Sequence, residues 1–221
     1  MLDIVVDGEA RRFALDRCIN AGYSGRDEES VQAHIDELEE DGIPAPDSVP
    51  TFYQLAPYTV LVDPGSVQVV GESTSGEAEF AILHAGDEKW VVAASDQTDR
   101  ALETQSIQLA KQIAPNVLSR RAWRYAAIED HWDRIELRAW NTVDGERRLY
   151  QEAELGTIRT PNTLLAELED RYGGPRYGTA MLSGTIPTVS GDLQPGSRFE
   201  VELHDPVLDR SLSVAYDVEP V

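Results

Sequence analysis

The chain of 221 residues carries 40 acidic against 19 basic side chains, a net charge of −21, and a hydrophobic share of 41%, enough apolar material for one domain or a domain with a small appendage. The acid excess excludes a general nucleic-acid binder, which needs a basic footprint, and opposes anionic membranes; no apolar stretch of about 18 residues is present to span one. The single cysteine, Cys18, excludes an internal disulfide framework and a Cys-rich zinc site, and it reads as a small buried hydrophobe.

Met1-Leu2-Asp3-Ile4-Val5-Val6 shows neither the basic nor the apolar region of a signal peptide, and a cytoplasmic location is expected. Residues 2–15 read as two strands about a tight turn at Asp7-Gly8. Arg17 to Gly25 reads as a short helix or loop. A helix opens at Asp27-Glu28-Glu29-Ser30 and runs to about Asp41, with Val31, Ile35 and Leu38 on one face and Gly42 closing it. Pro44, Pro46, Pro50 and Pro57 mark an extended connector; within it Phe52 and Tyr53 are candidates for core packing or a pocket wall. Tyr58–Val62, Val67–Val70, Ala78–Leu83 and Lys89–Ala94 are short β-type runs, and Asp99–Ile113 reads as a helix or a helix with a loop. A short helix within 120–132, a hairpin about Asp144-Gly145, a helix from Pro161 to Tyr172 and strands near 179–183, 198–204 and 212–218 complete the pattern. The expected class is α+β and strand-rich, with an N-terminal strand/helix appendage over 1–57 and a β-rich domain over 58–221.

Three acids carry the chemical signal. Glu77 and Glu79 alternate onto one face of a strand, and Asp96 ends the next strand. An acid pair on one face is costly when buried unless a hard divalent cation offsets it; the alternative is a solvated acidic face. Arg100 lies four positions beyond Asp96, so a helix starting there sets the two on one face, as an ion pair or as a fork for a substrate carboxylate. Lys89 and Lys111 are the two lysines. Lys89 reads as an exposed turn residue, whereas Lys111 is either a surface survivor or a compact charge beside a developing oxyanion. Ser183-Gly184-Thr185-Ile186-Pro187 sets backbone N–H groups and a hydroxyl at a strand end, where a carboxylate can sit. His34, His84, His131 and His204 lack ligand spacing, and no hydrolase elbow or nucleotide loop is present. The scarcity of Lys and density of acid are similar to those of salt-loving archaeal proteins, in whose molar salt the screening length is about 3 Å.

Taken in order, Glu77-Ala78-Glu79, Ser95-Asp96-Gln97-Thr98-Asp99-Arg100, Lys111 to Pro115, Ser183-Gly184-Thr185-Ile186-Pro187 and Leu193-Gln194-Pro195-Gly196-Ser197-Arg198 resemble the motif series of the fumarylacetoacetate hydrolase family, over roughly residues 50 to 218. The resemblance implies a mixed β-roll over 58–221 and a Mg²⁺, Mn²⁺ or Ca²⁺ ion on Glu77, Glu79 and Asp96. It implies that Lys111 lies beside the metal, that Arg100 and Glu103 contact substrate, and that Thr185 binds its carboxylate. Ser95 replaces the usual Asn and Glu103 the usual Gln. Hydrolytic members also use a His–Glu pair on an N-terminal lid, for which no match is visible; His34 is a poor local fit. The implied activity is metal-dependent hydrolysis of a C–C bond in a small 1,3-dicarbonyl or oxo acid such as an acylpyruvate, in a homodimer. Decarboxylation, hydration or tautomerisation on the same site is the alternative, and a non-catalytic small-acid binder a second.

Overall fold

The computed structural model describes residues 1–40, 44–173 and 177–221; Gly42, expected to close the first helix, lies outside them. The N-terminal hairpin forms as expected from β1 (Leu2–Val6) and β2 (Glu9–Phe13), with Asp7 and Gly8 both at positive φ, 45° and 88°, as a two-residue primed turn requires. β3 (Arg17–Gly22) stands where a short helix or loop is expected. Cys18, Ile19, Asn20 and Ala21 are all buried, and a strand covered on both faces has no polar alternation to announce it. α1 (Glu28–Glu40) follows, and the proline-rich connector contains β4 (Thr51–Leu55).

After a 3₁₀ turn come β5 (Val60–Val62), β6 (Gly65–Val69), β7 (Thr74–Ala85) and β8 (Glu88–Asp99). β7 and β8 outrun the apolar segments that predict them because their polar ends are buried too; Ser95, Asp96, Gln97 and Thr98 are each 0% exposed. Over 99–113, where a helix or a helix with a loop is expected, there are two short helices: α2 (Arg100–Glu103), capped by Asp99, and α3 (Ile107–Gln112), capped by Ser106. β9 (Asn116–Leu118), β10 (Arg121–Arg124) and two 3₁₀ turns lead to the β11 (Glu136–Val143) and β12 (Glu146–Glu154) hairpin. Thr160 caps α4 (Pro161–Tyr172), and β13 (Thr179–Leu182), β14 (Arg198–Asp205) and β15 (Arg210–Pro220) follow.

A ten-stranded sheet runs β2-β1-β10-β8-β7-β13-β3-β4, with β9 also on β8 and β5 on β9; a five-stranded sheet runs β12-β11-β14-β15-β6. The strands of residues 1–57 thus join both ends of the larger sheet. Both sheets are mixed, with β1–β10, β3–β13, β5–β9 and β6–β15 parallel. Phe80, Ile82, Val91, Leu137, Phe199, Val201 and Tyr216 belong to one core cluster; Cys18, Ala81, Leu83, Val92, Ala94 and Leu182 belong to a second. Alternation assigns Glu77, Glu79 and Asp96 to the face of the second cluster.

Gly76 faces the first cluster. A Cβ there would meet the Phe199 ring at 2.4 Å. Gly76→Ala should therefore cost about 1–3 kcal/mol, the usual range for overpacking; a urea midpoint equal to that of the native chain would show that the ring yields freely.

Candidate metal centre

β7 and β8 pair with Glu77 opposite Asp96, and the strand period carries Glu79 to the same face. One carboxylate oxygen from each of Glu77, Glu79 and Asp96 lies within 4.8 Å of the other two. Glu79 and Asp96 are 0% exposed and Glu77 is 8% exposed, which excludes the solvated-face alternative. Lys111, from α3, is buried over this group; its ammonium donates to Glu77 Oε2 at 2.9 Å and Asp96 Oδ2 at 2.6 Å. Arg100 does not pair with Asp96, because α2 begins only after Asp99 caps it. Its Nη1 donates instead to Glu77 Oε1 at 2.8 Å and Glu103 Oε2 at 3.0 Å, and its Nε to Ser75 Oγ at 2.7 Å.

Two donors from distant segments complete the arrangement. Asn20 Nδ2 donates to Glu79 Oε1 at 3.0 Å and Asp96 Oδ2 at 3.2 Å. The Gly184 N–H donates to Glu79 Oε2 at 2.9 Å, so the strand-end motif does hold a carboxylate, one of the protein's own. Gly184 has φ of 79°, and a Cβ there would sit 2.2 Å from the Ala21 carbonyl oxygen; no other residue fits. Thr185 is close by, but its hydroxyl donates to the Ala78 carbonyl at 2.9 Å and accepts from Gln151 Nε2 at 2.8 Å. Gln151 also accepts from the Ala78 N–H at 2.8 Å, bracing β7 between the two glutamates. Behind β8, Tyr216 shares a 2.8 Å hydrogen bond with Ser95 and donates to Gln97 Oε1 at 2.9 Å, fixing both neighbours of Asp96.

The electrostatics are unbalanced. Four carboxylates, Glu77, Glu79, Asp96 and Glu103, face two bases, Lys111 and Arg100, so full ionisation leaves two negative charges. Burial raises all three strand acids. For Glu77 the adjacent Lys111 and Arg100 outweigh burial and hold it at about 2. For Asp96 burial wins over Lys111, with Glu77 adding to it, and the group rises to about 6. Glu79, buried and next to Asp96, is pushed well above the usual carboxylate range. Lys111 is raised: its own burial disfavours the charge, but Asp96, Glu77 and Glu79 prevail. Asp96 Oδ1 and Asn20 Oδ1 are buried without a hydrogen-bond partner among the described residues. An all-oxygen donor set, two spare negative charges and unpartnered buried oxygens suit Mg²⁺, Mn²⁺ or Ca²⁺.

The N-terminal helix carries one His–Glu contact of its own. His34 Nδ1 lies 3.8 Å from Glu37 Oε2 one turn on in α1, with both side chains exposed. The His34 ring centroid is 6.3 Å from that of Tyr23. Tyr23 in turn is close enough to Glu103 and Lys111 to feel both charges: burial, then Glu103, raises its phenol, and Lys111 opposes them. Tyr53 is half-buried beside the same two groups, whereas Phe52 is core. Lys89 is not a free turn residue; it sits on β8 and bonds Asn162.

No curated protein matches the sequence. Solved structures share the fold. A fumarylacetoacetate isomerase/hydrolase candidate from Oleispira antarctica superposes with a TM-score of 0.73 at 19% identity, covering 99% of this chain and 100% of that one. A 2-keto-3-deoxy-D-arabinonate dehydratase complexed with magnesium and 2,5-dioxopentanoate gives 0.65 at 14% identity, covering 96% and 77%. The 4-oxalocrotonate decarboxylase of Pseudomonas putida G7, complexed with calcium and acetate, gives 0.60 at 15%, covering 95% and 78%. The fold is therefore that of fumarylacetoacetate hydrolase-like enzymes, strand-rich α+β with mixed sheets. Residues 21–216 match the model of the family described as "Protein of unknown function (DUF2848)", and the chain belongs to that family.

Proposed function

We propose that this protein is a divalent-metal-dependent enzyme of the fumarylacetoacetate hydrolase type that cleaves a C–C bond in a small 1,3-dicarbonyl or oxo acid by hydrolysis. One observation carries the reading: three buried carboxylate oxygens within 4.8 Å of one another, in a cluster whose two bonded bases leave it two charges short of neutral. Glu77, Glu79 and Asp96 hold the ion, Mg²⁺ or its relatives, which when bound supplies Lewis-acid polarisation of a substrate carbonyl. His34, oriented by Glu37, takes a proton from the water that adds to the neighbouring carbonyl carbon. The C–C bond then breaks and its electron pair moves onto the oxygen of the remaining oxo group, where the Lys111 ammonium stabilises the charge. His34 returns the proton to carbon. Arg100 Nη2, buried and without a hydrogen-bond partner among the described residues, and the Thr185 hydroxyl, turned from Ala78, receive the substrate carboxylate.

A second reading keeps the metal and changes the reaction to decarboxylation, hydration or tautomerisation. The exposure of His34 and Glu37, 61% and 78% of their side chains, favours it, since an exposed pair is poorly held for water activation. Mn²⁺ titration of the native chain, Glu77→Gln and Glu79→Gln checks the metal centre. Each variant should lose at least tenfold in affinity, as removal of one of three charged ligands demands; unchanged Mn²⁺ content in both would remove the site. With the metal in place, equimolar pyruvate release from an acylpyruvate supports hydrolysis, and turnover of oxaloacetate alone supports the second reading.

A further inference from the structure

The Arg100 guanidinium is more exposed than the Lys111 side chain, 14% against 7%, and its charge is already matched twice. Nη1 is shared between Glu77 at 2.8 Å and Glu103 at 3.0 Å, and Nε is held by Ser75. Its side chain is only 14% exposed, and that of Glu103 20%, so neither charge is well screened by water. Nη2 has no hydrogen-bond partner among the described residues, so Arg100 offers one donor but no net charge. The other cation bonded to the cluster, Lys111, lies between Glu77 and Asp96. A divalent ion brings this set of four acids and two bases to neutrality. One incoming carboxylate can then be met by the ion and by Arg100 Nη2. A second carboxylate would find no uncompensated cation and would approach Glu103.

Resting on the metal-dependent oxo-acid reading above, we infer that Glu103 is a specificity-determining residue: it cancels Arg100 and restricts the substrate to acids with a single carboxylate and an uncharged distal end. The surroundings agree. The phenols of Tyr23 and Tyr53 both lie within electrostatic reach of Glu103 and Lys111, and neither adds a positive charge there. In a half-dry site, a like charge a few ångströms away costs a ligand roughly tenfold to a hundredfold in affinity. A glutamine at position 103 would keep the hydrogen bond to Arg100 and remove that repulsion.

Calorimetric titration of the Mn²⁺-loaded full chain with 2-oxopentanoate and 2-oxoglutarate tests this, because the two acids share a chelating head and a chain length and differ in the distal carboxylate. The native protein should prefer 2-oxopentanoate by roughly tenfold or more, and Glu103→Gln should shrink that ratio to within about threefold by tightening 2-oxoglutarate. Equal binding of the two acids to the native protein overturns the inference, as does an unchanged ratio in Glu103→Gln. Binding of Mn²⁺ but of neither acid removes the oxo-acid reading and the inference with it; failure to take up Mn²⁺ at all removes the metal centre beneath both.

Discussion

Replacing Lys111 with methionine should destabilise the metal-free protein by about 3–5 kcal/mol and should, in the opposite direction, tighten its hold on Mn²⁺. The lysine side chain is 7% exposed and makes two short contacts, to Glu77 and Asp96. Methionine fills nearly the same volume, so packing is kept and the charge alone is lost. What is left is a buried group of acids with Arg100 as its one bonded base among the described residues, and breaking a buried ion pair from one side costs far more than the pair's net worth. A bound cation feels the same ammonium as a repulsion, so its removal should raise Mn²⁺ affinity by roughly tenfold or more. Urea unfolding in chelator and in excess Mn²⁺ reads both effects: the variant should be far weaker than the native chain in chelator and close to it with metal. Equal stability in chelator would mean that Lys111 does not balance these acids. Turnover, if it depends on charge stabilisation by Lys111, should be lost even though the metal is bound.

The metal-free protein should lose stability as pH rises from about 4.5 to 7, and a divalent ion should reverse the trend. Asp96 goes from 3.8 to about 6 on folding, and Glu79 is raised further. Groups raised in the native state bind protons there more tightly than in the unfolded chain, so their contribution is present at low pH and vanishes as pH climbs through the native value. Glu77, lowered from 4.5 to about 2, works the other way: its contribution is present above 4.5 and disappears toward pH 2. The two signs meet near pH 4.5, and above it the acids cost a few kcal/mol. Metal binding requires the ionised forms, so it displaces protons and strengthens as pH rises through about 6. Melting temperatures across pH 4.5–7.5 in molar salt, with chelator and with Mg²⁺, separate this from the general repulsion of a highly acidic surface. Parallel curves with and without Mg²⁺ would mean that the cluster holds no ion.

The acid trio is legible in the sequence because strand alternation is a local rule: Glu77 and Glu79 must share a face wherever the strand lies. Lys111 stands out through the rarity of its type, and the Gly184 N–H through a turn motif at a strand end. Asn20 escapes because its strand is buried on both faces and pairs with β13, a partner some 160 positions away that no local pattern announces. Arg100 is assigned the wrong acid for a smaller reason. Asp99, directly before Arg-Ala-Leu, is the better cap, and starting the helix there turns Arg100 away from Asp96 and toward Glu77 and Glu103. The His34–Glu37 pair has the spacing of one helical turn, but the approach of the His34 ring to Tyr23 depends on how the chain folds back between them, which only the three-dimensional arrangement supplies.

Tyr216 reaches Ser95 across 121 positions, and Asn20 reaches Asp96 across 76. Closing such long loops is entropically slow, so the strands that pin Asp96 from either side arrive late in folding. In an early chain the local β7–β8 hairpin already sets Glu77 opposite Asp96, but the acids are still hydrated there and water screens their mutual repulsion. The strain of the centre therefore falls after the rate-limiting barrier: substitutions in it leave the refolding rate nearly untouched and act on how fast the native state comes apart. A bound ion would then work as a brake on opening, prolonging the life of the folded protein without hastening its birth.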